Sequence, residues 1–225
     1  PKPQNPSQMN KLIYLITFQI AFVSCSEGTD PTIFNTDLDI IENLNNGVSP
    51  LDIVANVGPE SLYGLEYKGG YIFHFDENDG GLIVATDYSE IGDVAWGDVF
   101  SLDTSAEIGS GDQNTQDIVQ GNLSDNSIDG FEFGSDNYAF KIVTELEYNG
   151  YSDWFIPSSG SMAAIFDHVH SRGMGNFDES LFYWSSTKQG YNPYVMAFNL
   201  DWGGDAFFGS CVDVNGLLIA RKVLN

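Results

Sequence analysis

Apolar residues recur at helical spacing early in the chain, at Leu38, Ile41 and Leu44, until Asn46-Gly47 breaks the pattern. Ser49-Pro50 then supplies an N-cap and a first-turn proline, and Leu51, Ile53, Val54 and Val57 extend a second short helix to Gly58-Pro59. This predicts a helical hairpin over residues 38–60, too small to be a domain by itself. The texture next turns to strands. Residues 71–75 and 82–86 are dense in β-branched and aromatic side chains and flank an Asp/Asn/Gly turn, the signature of a β-hairpin. Residues 89–114 read mostly as loop, and 115–119 as one or two helical turns. Tyr138, Phe140, Ile142, Val143 and Leu146 group as on a helix over 137–146. A further helix follows Pro157-Ser158 through Met162, Ile165, Phe166 and Val169. Short strands are predicted at 182–186, 194–200, 206–208 and 217–223, with turns at Gln189-Gly190, Trp202-Gly203-Gly204 and Asn215-Gly216. Helices flanking a twisted, mostly antiparallel sheet make the fold class α+β.

The N-terminal stretch has a different character. Residues 12–23 are apolar apart from Thr17 and Gln19, and as a helix they would reach about 18 Å, short of a ~30 Å hydrocarbon core. Lys11 precedes the run and Phe22-Val23-Ser24-Cys25 closes it, the order of a secretory signal. The closing residues resemble a bacterial lipoprotein box, with Cys25 as the lipidated cysteine and residues 1–24 as upstream residues plus signal. Pro1 to Gln8 then lie ahead of the start methionine, Met9. A lipid anchor on Cys25 implies the bacterial cell envelope, with the outer membrane and exposure at the surface as the expectation. Residues 25–37 read as a polar tether and 61–225 as the main domain. The second cysteine, Cys211, has no partner if Cys25 is lipidated; a Cys25–Cys211 bridge in an unprocessed chain is the other reading.

Charge narrows the partners. The 225 residues carry 32 acidic and 8 basic side chains, a formal charge of −24, so a nucleic acid or an anionic lipid surface would meet a like-charged protein. Aromatics at 14% exceed what an acidic disordered chain contains, so the bulk of the chain folds. Candidate chemistry is sparse. The metal, nucleotide and nucleophile-elbow motifs are missing from the sequence; His74, His168 and His170 read as satisfied or exposed histidines, and Cys211 as a buried inert thiol rather than a nucleophile. One segment has the oxygen-rich alternation that hard cations favour: Asp125, Ser127 and Asp129 ahead of Gly130, with Asp136 at the twelfth place, resembling a calcium loop. A plain acidic insertion is the competing reading. Residues 76–81 carry the same ambiguity, first a hairpin turn and second a metal loop. For ligand binding the richest stretch is 183–213, where Tyr191, Asn192, Tyr194, Asn199, Asp201, Trp202, Asp205 and Phe207 mix ring faces with amides and carboxylates. Ordinary strand alternation, with half of these side chains pointing inward, explains the same pattern.

Five separated landmarks appear in order: Gly69-Gly70-Tyr71-Ile72-Phe73, Ala95-Trp96-Gly97, the stretch around Gly109-Ser110-Gly111, Asn149-Gly150-Tyr151-Ser152-Asp153-Trp154 followed by Pro157-Ser158, and Tyr183-Trp184-Ser185-Ser186. Together they resemble the Lcl C-terminal-like domain family, typified by the C-terminal domain of bacterial collagen-like adhesins. The resemblance implies a C-type-lectin-like architecture and a non-catalytic recognition module for a glycan or protein outside the cell, in relatives that form trimers. Those relatives bind sulfated glycans through basic surfaces, which this acidic chain lacks. Gly150, Asp153, Trp154, Pro157 and Trp184 read as the rigid scaffold of such a loop-rich domain. A structural envelope or matrix component, or a hypervariable ligand-binding protein, are the alternatives.

Overall fold

Each of the first two helices begins where a side chain satisfies amides of its first turn. The structure, a computed structural model, describes residues 33–90, 92–97, 102–123, 137–198, 206–211 and 213–223. Helix α1 (Ile40–Asn45) has a reciprocal capping box: Asp39 Oδ1 accepts from the Glu42 amide at 2.7 Å, and Glu42 Oε2 accepts from the Asp39 amide at 3.1 Å. Helix α2 (Pro50–Val57) starts at Ser49, whose Oγ accepts from the Asp52 amide at 3.1 Å, with Pro50 in the first turn. The chain continues through β1 (Glu66–Tyr67), β2 (Gly70–Phe75), β3 (Leu82–Tyr88), β4 (Val94–Ala95), α3 (Gly111–Leu123), α4 (Ala139–Thr144) and α5 (Ser159–His168). It closes with β5 (Phe182–Gln189), β6 (Asn192–Ala197), β7 (Ala206–Phe208), β8 (Val214–Asn215) and β9 (Leu217–Val223). Mixed helices and antiparallel sheets make the fold α+β, as the hydrophobic pattern predicts.

The main sheet has the order β1-β2-β3-β9, and every neighbouring pair is antiparallel. Strand alternation divides its centre between two cores. Leu82 and Val84 pack with Leu44, Val48, Ile53, Leu62 and Ile72, so the helical hairpin covers one face. Ile83 and Ala85 pack with Phe73, Ile165, Phe166, Leu218 and Ala220 beneath α5 on the other. Burial on both faces explains why β3 and β9 read as near-continuous apolar runs. A third core gathers Trp96, Ile118, Phe140, Val143, Trp154, Ile156 and Trp184.

Two expectations need correction. The Asn215-Gly216 turn does not form. Gly216 instead continues the chain from β8 into β9 and lies against β5, donating to Phe182 O at 2.9 Å and accepting from the Trp184 amide at 3.1 Å. A Cβ there would meet the Tyr183 ring at 3.3 Å, so the glycine serves close approach rather than reversal. Likewise α3 runs for 13 residues where only 115–119 show apolar spacing. Its inward face is partly polar. Asn114 Nδ2 donates to Ser105 O at 2.7 Å and Ser186 Oγ at 3.2 Å, and the Thr115 hydroxyl accepts from the Ile156 amide at 3.1 Å. Hydrogen bonds hold that face in place, and hydrophobic periodicity does not register them.

Candidate recognition surface

The strand β5 is anchored before it reaches the surface. Trp184 is fully buried and its Nε1 donates to Val94 O at 2.6 Å; Trp96 Nε1 donates back to Ser185 O at 3.0 Å. The buried hydroxyls that follow are satisfied: Ser185 Oγ donates to Tyr194 O at 3.0 Å and Thr187 Oγ1 to Ser105 O at 3.1 Å. Lys188 ends the buried run, its ammonium donating to Leu102 O at 3.1 Å and to Gly190 O. Burial away from water holds that lysine below its ordinary pKa.

A second anchor comes from Asn149-Gly150. Both residues have positive φ, +51° and +79°, and Tyr148 and Tyr151 exchange backbone hydrogen bonds across them at 2.9 and 3.0 Å. That is the Asn-Gly hairpin turn in which only the second position is free of Cβ strain. Trp154 Nε1 donates to both Tyr148 O and Tyr151 O at 3.1 Å. Asp153 takes a bidentate pair from Arg221 at 2.7 and 2.9 Å, and the guanidinium lies 3.8 Å from the centre of the Tyr151 ring. Arg221 Nη1 also donates to Lys68 O at 3.1 Å, tying the turn to β9 and the β1–β2 connection. Pro157 accepts from the Ser186 amide at 2.8 Å, and Ser158 Oγ caps α5 by accepting from the Ser161 amide at 3.2 Å. Asp153, Trp154, Pro157 and Trp184 therefore work as scaffold.

On this frame the sheet β5-β6-β7 presents aromatic rings to water. Register places Phe182, Val195 and Phe207 on one face and Tyr194 and Phe208 on the other. Phe182 and Phe207 meet edge to face at 6.0 Å, and Tyr194 and Phe208 lie 4.7 Å apart. All three residues of β7 are exposed, Phe208 at 64%, and Tyr191 at the β5–β6 turn reaches 66%. Asn192 is exposed beside it and Tyr194 is half-buried, its hydroxyl donating to Gln189 Oε1 at 3.1 Å. Four of the sequence-derived ligand residues, Tyr191, Asn192, Tyr194 and Phe207, thus lie in this one sheet and its turn. Asn199, Asp201, Trp202 and Asp205 lie outside the described residues, as do Cys25 and the calcium-loop residues Asp125, Ser127, Asp129 and Asp136. Sequence reading overlooked Phe182 and Phe208, because alternation within a strand says nothing about which sheet edge stays open.

Titratable groups are scattered. Burial raises the Asp87 carboxyl to about 6, the nearby Tyr183 hydroxyl opposing the shift in part, and Asp87 Oδ1 is left without a hydrogen-bond partner. The Tyr183 phenol, raised by its own burial, accepts from the Asp178 amide at 2.8 Å. His170 is buried among Phe166, Phe177 and Phe198, with Nε2 3.4 Å from Glu179 Oε1 and misaligned for a hydrogen bond. His168 contacts Phe73 O through Nδ1 at 2.7 Å and stacks on Tyr63. The 76–81 turn satisfies itself: Asp76 Oδ1 accepts from the Asn78 amide and side chain at 2.8 and 2.9 Å, which holds its carboxyl below the ordinary value. Among the described residues no three His, Cys, Asp or Glu side chains converge as a metal site. A cavity of about 140 Å³ lies between His74, Asp76, Asp79 and Lys222, and one of about 540 Å³, mostly apolar, between Phe34, Ile41, Val57 and Leu65. Among the described residues no helix is long and apolar enough to cross a membrane. No protein-family model matches the chain, and no curated protein matches it.

Proposed function

We propose that the chain is a non-catalytic recognition protein, held at the bacterial envelope by lipid on Cys25, whose lectin-like domain binds a glycan or protein partner through the surface around β7. One observation carries this reading. Rings that a loop-rich domain ordinarily buries are paired on both faces of an exposed strand, next to a frame in which the Trp154 and Trp184 indole donors are satisfied. Exposed aromatics supply contact area at little conformational cost, and Asn192 and Gln189 supply direction beside them. The dispersal of Asp87, His170 and Lys188 into separate buried niches supports binding over turnover, since acid–base work needs such groups within reach of one bound molecule.

The test is binding of the detergent-solubilised full chain to glycan and peptide arrays. The Phe207→Ala, Phe208→Ala double variant is expected to lose the signal while its melting temperature stays within about 2 °C. Array signals identical in the variant would sink the reading. Labelled fatty acid incorporated in a bacterial host, and lost in Cys25→Ser, tests the anchor separately.

A further inference from the structure

We infer that the open edge of β7 is a docking site for an extended, basic segment of a partner polypeptide, which adds to the β5-β6-β7 sheet as a fourth strand. This rests on the recognition reading and makes it specific. Three other sheet edges are occupied or guarded. Phe155 exchanges backbone hydrogen bonds with Ala220 at 2.8 and 2.9 Å along the outer side of β9. Gly216 occupies the outer side of β5. The edge strand β1 is two residues long and carries Glu66. At β7 none of these devices operates among the described residues: the strand is Ala206, Phe207 and Phe208, without charge or proline, and all three are exposed.

The register states which backbone groups are offered. Tyr194 pairs with Phe208 and Val195 with Phe207, and the Gly209 amide donates inward to Pro193 O at 2.9 Å. Inward-pointing amides and carbonyls recur at every second residue of an antiparallel strand, so those of Phe207 face β6. Those of Ala206 and Phe208 face outward, two donors and two acceptors in line. A strand laid against them alternates its side chains between the Phe182–Phe207 face and the Tyr194–Phe208 face, which is how strand addition combines backbone affinity with side-chain selection. Three residues are too few to hold a partner by backbone bonds alone, so the rings decide which segment stays.

Charge selects the partner's sign. From residue 189 to 220 the chain has no Lys or Arg, while Asp201, Asp205 and Asp213 lie in that stretch, and the whole chain carries −24. A basic segment is drawn to this field and a second copy of the chain is repelled by it.

The experiment uses the detergent-solubilised full chain with labelled heptapeptides alternating Lys and Val, the same peptide with Glu for Lys, and one with a central Pro. Chitooligosaccharides serve as a glycan arm. Anisotropy reads binding, and amide hydrogen exchange reads Ala206 and Phe208. The Lys/Val peptide is expected to bind, to weaken with added salt, and to slow exchange at both amides at least about tenfold, with the Glu and Pro peptides failing. Ala206→Pro removes an outward donor without touching the bonds to β6, and is expected to reduce binding about tenfold at unchanged melting temperature. Phe208→Ala is expected to reduce it similarly through the loss of its ring. The proposal is overturned if the Lys/Val peptide does not bind, or if it binds without protecting these amides. Protection that rises with protein concentration and needs no peptide would assign the edge to a second copy and overturn it too. Oligosaccharide binding without peptide binding overturns strand addition and leaves the recognition reading standing; failure of both arms removes both.

Discussion

The turn at Asn149–Trp154 and the edge at β7 both carry aromatic rings, and the rings end in opposite states. At the turn, Trp154 donates to two carbonyls, Tyr151 lies under the Arg221 guanidinium, and Asp153 neutralises that cation. At the edge, Phe207 and Phe208 pair with neighbouring rings and still face water. Polar satisfaction makes the difference. An aromatic with a donor, beside a buried charge, is locked to one geometry, whereas a phenyl ring on a strand edge is held only by contact area. The first arrangement gives rigidity and the second gives a surface.

Substitutions separate the two regions, and the largest effect belongs to the frame. Trp184→Ala removes a fully buried indole and its 2.6 Å bond to Val94 O, and is expected to cost about 3–5 kcal/mol, read as a loss of 10 °C or more in melting temperature. A loss under about 3 °C would show that the tryptophan is not an anchor. Asp153→Ala strands the nearly buried Arg221; because Asp153 is half exposed, the expected cost is about 2 kcal/mol, and Arg221→Met in the same chain should recover part of it. Equal melting temperatures for the Asp153→Ala chain with and without Arg221→Met would sever that link.

A pH experiment sharpens the contrast from within the core. The folded Asp87 pKa, about 6, lies above its unfolded value, so the protonated carboxyl favours the fold. Its contribution is full below about pH 4 and is lost as pH rises through 6. Asp87→Asn is therefore expected to raise stability at pH 7.5 by about 1 kcal/mol, after allowing for partial exposure to solvent, with no gain at pH 4. A variant less stable at pH 7.5 would overturn that assignment. The smallest effect is at the edge: Phe208→Ser is expected to shift stability by no more than about 0.5 kcal/mol, because its exposed ring packs on the half-buried Tyr194 at the sheet surface and not in a core.

Much of this frame was legible before any coordinates. Ser49-Pro50 and Ser158 mark helix starts and Gln189-Gly190 marks a turn, since caps and turns are encoded by residues adjacent in sequence. Hydrophobic spacing shows less than half of α3 because Asn114 and Thr115 are buried through hydrogen bonds to Ser105, Ser186 and Ile156, partners 9 to 72 positions away. Arg221 illustrates the same limit. Nothing in Asn149–Trp154 reveals that its carboxylate closes on a cation 68 residues later.

What the sequence determined by itself was local: where chain segments start, stop and alternate, the acidic field, and the absence of a concentrated catalytic motif. The tertiary structure decided which alternating residues face outward, which sheet edges are covered by Phe155 and Gly216, and that among the described residues no strand lies beyond β7. Alternation assigns side chains to two faces, but an edge is defined by which strand arrives beside it, and that depends on contacts between residues far apart along the chain.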